Sequence, residues 1–353
     1  MARKLKVGII GVGTIGNVHA DAYNATGEAE IAAICDIDEP KLKRVGERLG
    51  VANRVTSWRE LIAQDIDAVS VCVPNALHRD FAVGALKAGK NVLLEKPMAM
   101  NAEQAASICR TAAKSKGVIQ IGMVNRQAPS AQVLRSWVKA GRLGEIYHLN
   151  VKLIRRRGIP GMGGWFTTKA LSGGGPMIDI GVHAFDLGMF VADLWKVTSV
   201  SAQVYAKFGP AMRDYKYVGM WAGPPNFNGV FDVEDYSCGF ARFGKKATMT
   251  FDISWAANAR EECYVDVLGD KGGARIFDGS PLTILSEEEG QLVDIMPKYK
   301  EKVSSFEMEM RTFIAACRRE AKPAATAEQG LAVMKLIDAI YLSSKHKREV
   351  AIN

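Results

Sequence analysis

Asp179 and His183 stand four residues apart, and Lys96 sits between Glu95 and Pro97 just beyond an apolar run. Side chains at i and i+4 share one face of a helix, and Asp186 at i+7 continues that face. A neutral imidazole is suited to take a proton near physiological pH. An ammonium on the same oxygen would stabilise the negative charge that develops as the proton leaves. Together they offer what oxidation of an alcohol requires while hydride departs from its carbon. Taken singly, each residue has a plainer reading. A helical histidine is most often structural, the aspartate one turn earlier only its partner, and a lysine at a strand end merely solvated. Jointly they favour chemistry, because α/β sheets bind ligands in the crevice at their strand ends. Pro176 is a plausible first helical residue, and the run Gly173–Gly175 lets backbone approach a ligand.

The elements that must position these groups follow from the chain. Apolar runs at Lys6–Ile10, Ile31–Cys35, Ala68–Val73, Val92–Leu94 and Val118–Val124 end in turn chemistry and suit buried parallel strands. Asp38-Glu39-Pro40 opens a helix closed by Gly50, and Asn101 with Gln104 caps another that stops before Gly117. Such β–α units predict an α/β, doubly wound parallel sheet over residues 1–125. Beyond it the pattern changes. A helix Pro129–Ala140, a strand near Ile146–Ile154, the glycine-rich stretch Gly158–Gly175 and a helix from Pro176 to about Val191 precede successive β-rich segments. Ser304–Glu307 and Thr326–Gln329 resemble capping boxes of two closing helices. Residues 126–353 are therefore expected to form an α+β domain with an open, mostly antiparallel mixed sheet.

Composition bounds the rest. A chain of 353 residues suits two domains or three, and 48% hydrophobic with 24% charged residues excludes disorder and collagen-like repeats. No apolar run nears the roughly 18 residues of a membrane span, so no membrane partner is expected. Met1–Val7 reads as the run-in to a strand, not a signal peptide. The net charge of +8 suits an anionic ligand, but the basic residues are scattered, so nucleic acid is not expected. None of the six cysteines (Cys35, Cys72, Cys109, Cys238, Cys263, Cys317) forms a C-x-x-C pair. No metal, free thiols and a cytoplasmic location are the corresponding expectations.

Gly11-Val12-Gly13-Thr14-Ile15-Gly16 follows the first strand and opens a helical pattern, and Asp36 lies twenty residues beyond Gly16. The glycine pattern alone is weak in a chain with 34 glycines. Strand before, helix after and an acid at that spacing make it a dinucleotide site. Gly11 permits the tight turn, Gly13 lets backbone approach a pyrophosphate, and Gly16 lets helix and strand pack. Asp36 would bind a free 2′-hydroxyl and repel a 2′-phosphate, and Ile37, Asp38 and Glu39 bring no cation next to it. NAD is expected over NADP.

Val73-Pro74-Asn75 with His78, Glu95-Lys96-Pro97, and Gly173-Gly-Gly-Pro-Met-Ile-Asp179-Ile-Gly-Val-His183 complete a pattern. With Gly11–Gly16, these segments resemble the glucose–fructose oxidoreductase / inositol dehydrogenase (Gfo/Idh/MocA) family, in order and over essentially the whole chain. The resemblance implies an NAD(P)-dependent oxidoreductase of sugars and polyols, with a Rossmann domain and a sheet domain that often mediates oligomerisation. A homo-oligomer, dimer or tetramer, is the expectation. It further implies that Lys96 and His183 share the proton work while Asp179 holds a neighbouring hydroxyl or orients the pair. The lead reaction is oxidation of a secondary hydroxyl of a sugar, a glycoside at its 3-position, or a cyclic polyol to a ketone. Inositol oxidation, redox-neutral NAD-dependent glycoside cleavage and a silent NAD-binding sensor are its rivals.

Other candidates are weaker. Val73, Pro74, Asn75, His78 and Glu95 are expected beside the cofactor with Val12, Thr14, Ile15 and Ile37. Asn125 and Arg126 leave the first domain where nicotinamide and substrate would meet. His19 has packing as an equally good role. Alternation along a strand puts Arg155 and Arg157 on one face and Arg156 on the other; Arg157 is the candidate for an anionic substrate group. Trp165 and Phe166 would close over the cofactor or stack on a sugar, and Tyr236 after Glu234-Asp235 is a further substrate candidate. Tyr215, Tyr217, Trp221 and Phe227 mark Gly209–Val230 as a lid or an oligomer contact.

Overall fold

The alternating signals of the first third resolve into β1 (Leu5–Ile10), α1 (Thr14–Thr26), β2 (Ala29–Cys35), α2 (Glu39–Leu49), β3 (Arg54–Val55) and α3 (Trp58–Ile62). β4 (Ala68–Val71), α4 (His78–Lys87), β5 (Asn91–Glu95), α5 (Ala102–Ala112) and β6 (Ile119–Gly122) follow. The expected caps are present: the Asp38 carboxylate accepts from the Lys41 N–H, and the Asn101 side chain from the Gln104 N–H, both at 2.9 Å. These strands pair in parallel in the order β3-β2-β1-β4-β5-β6. The order reverses between β1 and β4, the switch point at which such sheets bind ligands. β1, β4 and β5 carry Gly11, Val73 and Lys96 to that carboxyl edge. The structure is a computed structural model describing residues 3–220, 222–277, 281–299 and 303–352; Trp221 lies outside the described residues.

The second sheet is built from β7 (Ile146–Ile154), β8 (Ser199–Tyr205), β9 (Tyr236–Phe243), β10 (Ala247–Ser254), β11 (Glu262–Gly269), β12 (Gly273–Ile276), β13 (Thr283–Glu288), β14 (Gln291–Ile295) and β15 (Val350–Ala351). Its order is β14-β13-β12-β11-β7-β10-β9-β8-β15. β7 and β10 pair in parallel and the other described pairs run antiparallel, as expected of a mixed sheet. The helices are α6 (Pro129–Lys139), α7 (Lys169–Ser172), α8 (Val182–Ala192), α9 (Ser305–Cys317) and α10 (Ala327–His346). α8 lies on one face of this sheet, its Gly188 against Leu149, Val151 and Val265. Along β10, Met249, Phe251 and Ile253 are buried on that face, while Thr250 and Asp252 alternate to the other.

Two differences from the sequence expectation bear on the site. The first compact unit comprises residues 1–127 with 302–331, and the second residues 128–301 with 332–353, where a single boundary after residue 125 was expected. The cause is α9, whose Met310, Phe313 and Ile314 are fully buried against Leu5, Val7, Tyr23 and Leu93. Each such side chain contributes roughly 1.5–3 kcal/mol on burial, enough to bring the segment back. Secondly, the helix expected from Pro176 is divided. Met177–Gly181 forms a π-helical turn, and α8 begins at Val182. Among the described residues no helix is long and apolar enough to cross a membrane, and the six cysteines are free.

Candidate active site

At the end of β1 the three motif glycines divide their roles. Gly11 has φ +90°, and a Cβ there would lie 2.2 Å from the Cys72 carbonyl oxygen. A Cβ on Gly16 would lie 2.0 Å from the Gly11 oxygen, whereas one on Gly13 would meet nothing within 4 Å. The protein itself demands the outer two; the space above Gly13 is where a pyrophosphate fits. Gly13 is also the N-cap of α1 and supplies no side-chain cap, which leaves first-turn N–H groups for an anion. The Asp36 carboxylate is set beside this loop by the N–H groups of Val12 (2.9 Å) and Asp38 (3.0 Å). Lys41 reaches it at 3.3 Å from the first turn of α2, a cation that the residues directly after Asp36 did not reveal. Ile37 is exposed, as is Thr14, while Val12 is buried and Ile15 half-buried. This loop fits a dinucleotide.

The next strand ends are fastened to one another. Both ring nitrogens of buried His78 face carbonyl oxygens, Nδ1 that of Pro97 at 2.7 Å and Nε2 that of Val73 at 2.8 Å. Two acceptors favour the imidazolium, but burial is the larger effect and pushes this histidine below its usual range. His78 therefore buckles the Val73-Pro74-Asn75 segment to the Glu95-Lys96-Pro97 segment, whose Lys96–Pro97 peptide is cis. Pro74 is exposed and Asn75 buried. Glu95, also buried, accepts the Lys96 backbone N–H at 3.0 Å through Oε2 and faces His19 Nε2 at 2.9 Å through Oε1. Arg126 is turned inward, donating to the Ala324 oxygen (2.9 Å) and to Gln329 (2.6 Å), and Asn125 beside it is half-buried.

In the second unit, every residue of α8 is buried except His183. Asp179 lies in the π turn and is 8% exposed; its Oδ2 accepts from the indole N–H of Trp255 at 3.0 Å. Hydrogen bonds in a π turn run from i to i+5, so the spacing of Asp179 and His183 is not that of a plain α-helix. Asp186 is buried. The glycine run before the turn is anchored by Glu234, whose Oε1 accepts the N–H of Gly175 (3.0 Å), that of Met177 (3.2 Å) and the Tyr341 hydroxyl (2.8 Å). Sequence reasoning missed both Trp255 and Glu234. In the sequence Glu234 stands out only as half of the acidic pair Glu234-Asp235.

The Tyr236 hydroxyl donates to Asp252 at 2.6 Å, and strand alternation puts both on the sheet face away from α8. Arg157 is held by Asn258 at 2.9 Å and stacks over Phe208. It lines a cavity of about 940 Å³ with Arg156, Lys216, Val218, Asn258, Ala259, Arg260 and Glu261. The half-buried rings of Trp165 and Phe166 lie 3.8 Å apart by centroids. The segment 209–230 is fastened to the glycine-rich stretch: Asn226 N–H donates to the Met162 oxygen (2.8 Å) and the Thr167 hydroxyl to the Val230 oxygen (2.7 Å).

Residues 5–123 match the model of an oxidoreductase family with an NAD-binding Rossmann fold, and residues 131–275 that of the GFO/IDH/MocA C-terminal domain. The chain is 35% identical to D-glucoside 3-dehydrogenase of Escherichia coli (strain K12) over 97% of its own length and 95% of that protein's. It belongs to the Gfo/Idh/MocA family. Inositol 2-dehydrogenase of Rhizobium meliloti (strain 1021), another relative, is 25% identical over 99% of both chains. The fold is shared with levoglucosan dehydrogenase solved in complex with NADH and levoglucosan, at TM-score 0.87 and 20% identity, covering 99% of this chain and 100% of that one. As a Gfo/Idh/MocA protein the chain is an NAD-dependent oxidoreductase acting on CH–OH groups of sugars or polyols. Gly11–Gly16, the first turn of α1 and Asp36 would hold the NAD, which supplies the hydride acceptor when bound.

Proposed function

We propose that this Gfo/Idh/MocA chain oxidises a secondary hydroxyl of a pyranose ring to a ketone, with the 3-position of a glycoside as its lead substrate. In this proposal His183 takes the hydroxyl proton, Lys96 stabilises the developing alkoxide charge, and Asp179 holds a neighbouring hydroxyl. One observation carries the role of His183. It is the one residue of α8 that is not buried, in a helix whose other ten positions are. A packing histidine would share its neighbours' burial. The substrate class draws on the 35% identity to a D-glucoside 3-dehydrogenase over nearly the full length. The relatives named inositol 2-dehydrogenase and myo-inositol 2-dehydrogenase, matched over 99% of the chain, favour a cyclic polyol as second substrate. We further propose a cytoplasmic homo-oligomer, which light scattering tests.

The deciding experiment measures NADH formation with glycosides, free sugars and inositols, in parallel with NADP. Fastest turnover is expected with a glucoside and NAD. Glycoside consumption without net NADH would replace this proposal with redox-neutral cleavage. His183→Ala should lower kcat at least about a hundredfold while NADH binding survives; unchanged turnover removes His183 from the mechanism.

A further inference from the structure

Beneath Lys96 lies a buried cluster that the reaction as described does not use. His19 from α1, Glu95 at the end of β5 and Glu309 from α9 are 0%, 7% and 1% exposed, and one nitrogen or oxygen from each lies within 4.8 Å of the others. Oε2 of Glu309 is buried without a hydrogen-bond partner. On its far side His19 Nδ1 meets Ser70 Oγ at 3.3 Å and Cys72 Sγ at 3.4 Å, and Ser70 meets the Tyr23 hydroxyl at 2.9 Å. We propose that His19 and Glu309 are positioning residues for Lys96, acting through the Glu95 carboxylate that accepts the Lys96 backbone N–H. The proposal rests on the catalytic role given to Lys96 above.

Two carboxyl groups this close, away from water, do not both ionise. Burial pushes Glu309 well above the usual carboxylate range, and the charge of Glu95 adds to it. For Glu95 burial also opposes ionisation, but the hydrogen bond and charge of His19, then the charges of Lys96 and His78, outweigh it and hold the group below its usual range. One negative charge therefore resides on Glu95, pinned by His19 at one oxygen and by the Lys96 backbone at the other. The titratable groups around it are His19 and Tyr23 from α1, Cys72 after β4, His78 from α4, Lys96 itself and Glu309 from α9. A metal ion accounts for the cluster less well. The 2.9 Å between His19 Nε2 and Glu95 Oε1 is a hydrogen-bond length, and donors held about 2.0–2.1 Å from a tetrahedral ion stand wider apart.

The test uses the full-length chain with NAD and either methyl glucoside or myo-inositol. His19→Ala is expected to lower kcat roughly tenfold or more by misplacing Lys96, with NADH affinity by fluorescence titration unchanged. His19→Gln retains an N–H for Glu95 and should recover most of that loss. Glu309→Gln removes the second titrating carboxyl and should displace the pH profile of kcat while the thermal midpoint holds. An unmoved pH profile in Glu309→Gln, together with no recovery in His19→Gln, would reduce both to packing residues and overturn the proposal. One bound divalent ion per chain, lost in Glu309→Gln, would overturn it too. Lys96→Ala separates this outcome from failure of the parent reading. Full turnover in that variant defeats the role of Lys96 itself, whereas its loss beside normal His19 and Glu309 variants defeats only the positioning role.

Discussion

The indole N–H of Trp255 and a carboxylate oxygen of Asp179 meet at 3.0 Å, with the tryptophan fully buried and the aspartate nearly so. A carboxylate so placed depends on its donors, since an unpaired buried charge is costly. Trp255 follows β10 directly, so the strand fixes where that donor stands. Trp255→Phe keeps an aromatic ring and removes the donor. We expect kcat/KM to fall roughly tenfold to a hundredfold, matching the ~1.5–3 kcal/mol of a hydrogen bond to a charged group. Steady-state kinetics beside a thermal melt checks this; a lowered melting point with intact kcat/KM would make the bond merely structural.

Cofactor choice turns on Asp36 and its neighbour Lys41, 3.3 Å away. The carboxylate both repels a 2′-phosphate and neutralises the lysine. Asp36→Ser removes the repulsion and leaves Lys41 to attract the phosphate. The ratio of kcat/KM for NADP over NAD should rise by about tenfold or more. Asp36→Ser with Lys41→Ala should lose part of that gain.

Gly13 and Gly16 should fail in different ways. A side chain on Gly13 meets open space, so Gly13→Val is expected to melt like the wild type yet bind NADH poorly. At Gly16 an added Cβ would lie 2.0 Å from the Gly11 oxygen, so Gly16→Ala should lower the melting point by several degrees, the scale of one to two kcal/mol. Calorimetry and fluorescence titration on both variants separate the two outcomes.

Glu234 gives stability a pH dependence whose sign is fixed. Burial pushes its carboxyl above the usual range, although the N–H groups of Gly175 and Met177 and the Tyr341 hydroxyl pull the other way. An acid raised in the folded state contributes stability that is complete below its unfolded pKa, about 4.3, and lost as pH rises through the folded one. Glu234→Gln keeps an acceptor oxygen but never ionises. Its melting point should therefore gain on the wild type as pH rises from about 4.3 toward neutrality. Parallel curves would contradict the assignment.

What the sequence made legible was local. Gly11, Gly13, Gly16 and Asp36 declare themselves by spacing, and the caps at Asp38, Asn101, Ser304 and Thr326 by residue type, since each acts within a few positions of itself. The return of α9 was hidden because Met310, Phe313 and Ile314 find their partners, from Leu5 to Leu93, more than two hundred residues away. Trp255 and Glu234 sit in ordinary strand and loop contexts, where nothing in the neighbouring residues points at a helix they support. Tyr236 adjoins the acidic pair Glu234-Asp235, but the face it takes is set by the pairing of β9 with β10, which the sequence does not display. The π turn leaves no trace in a pattern of apolar residues that an α-helix would satisfy equally well.

The near-complete burial of α8 has a consequence for redesign. Ten of its eleven positions are committed to the interior, so a library of substitutions along this helix would mostly return unfolded protein. With His183 in its proposed role, variation in substrate preference is better sought at positions the interior does not claim, such as the half-buried Trp165 and Phe166.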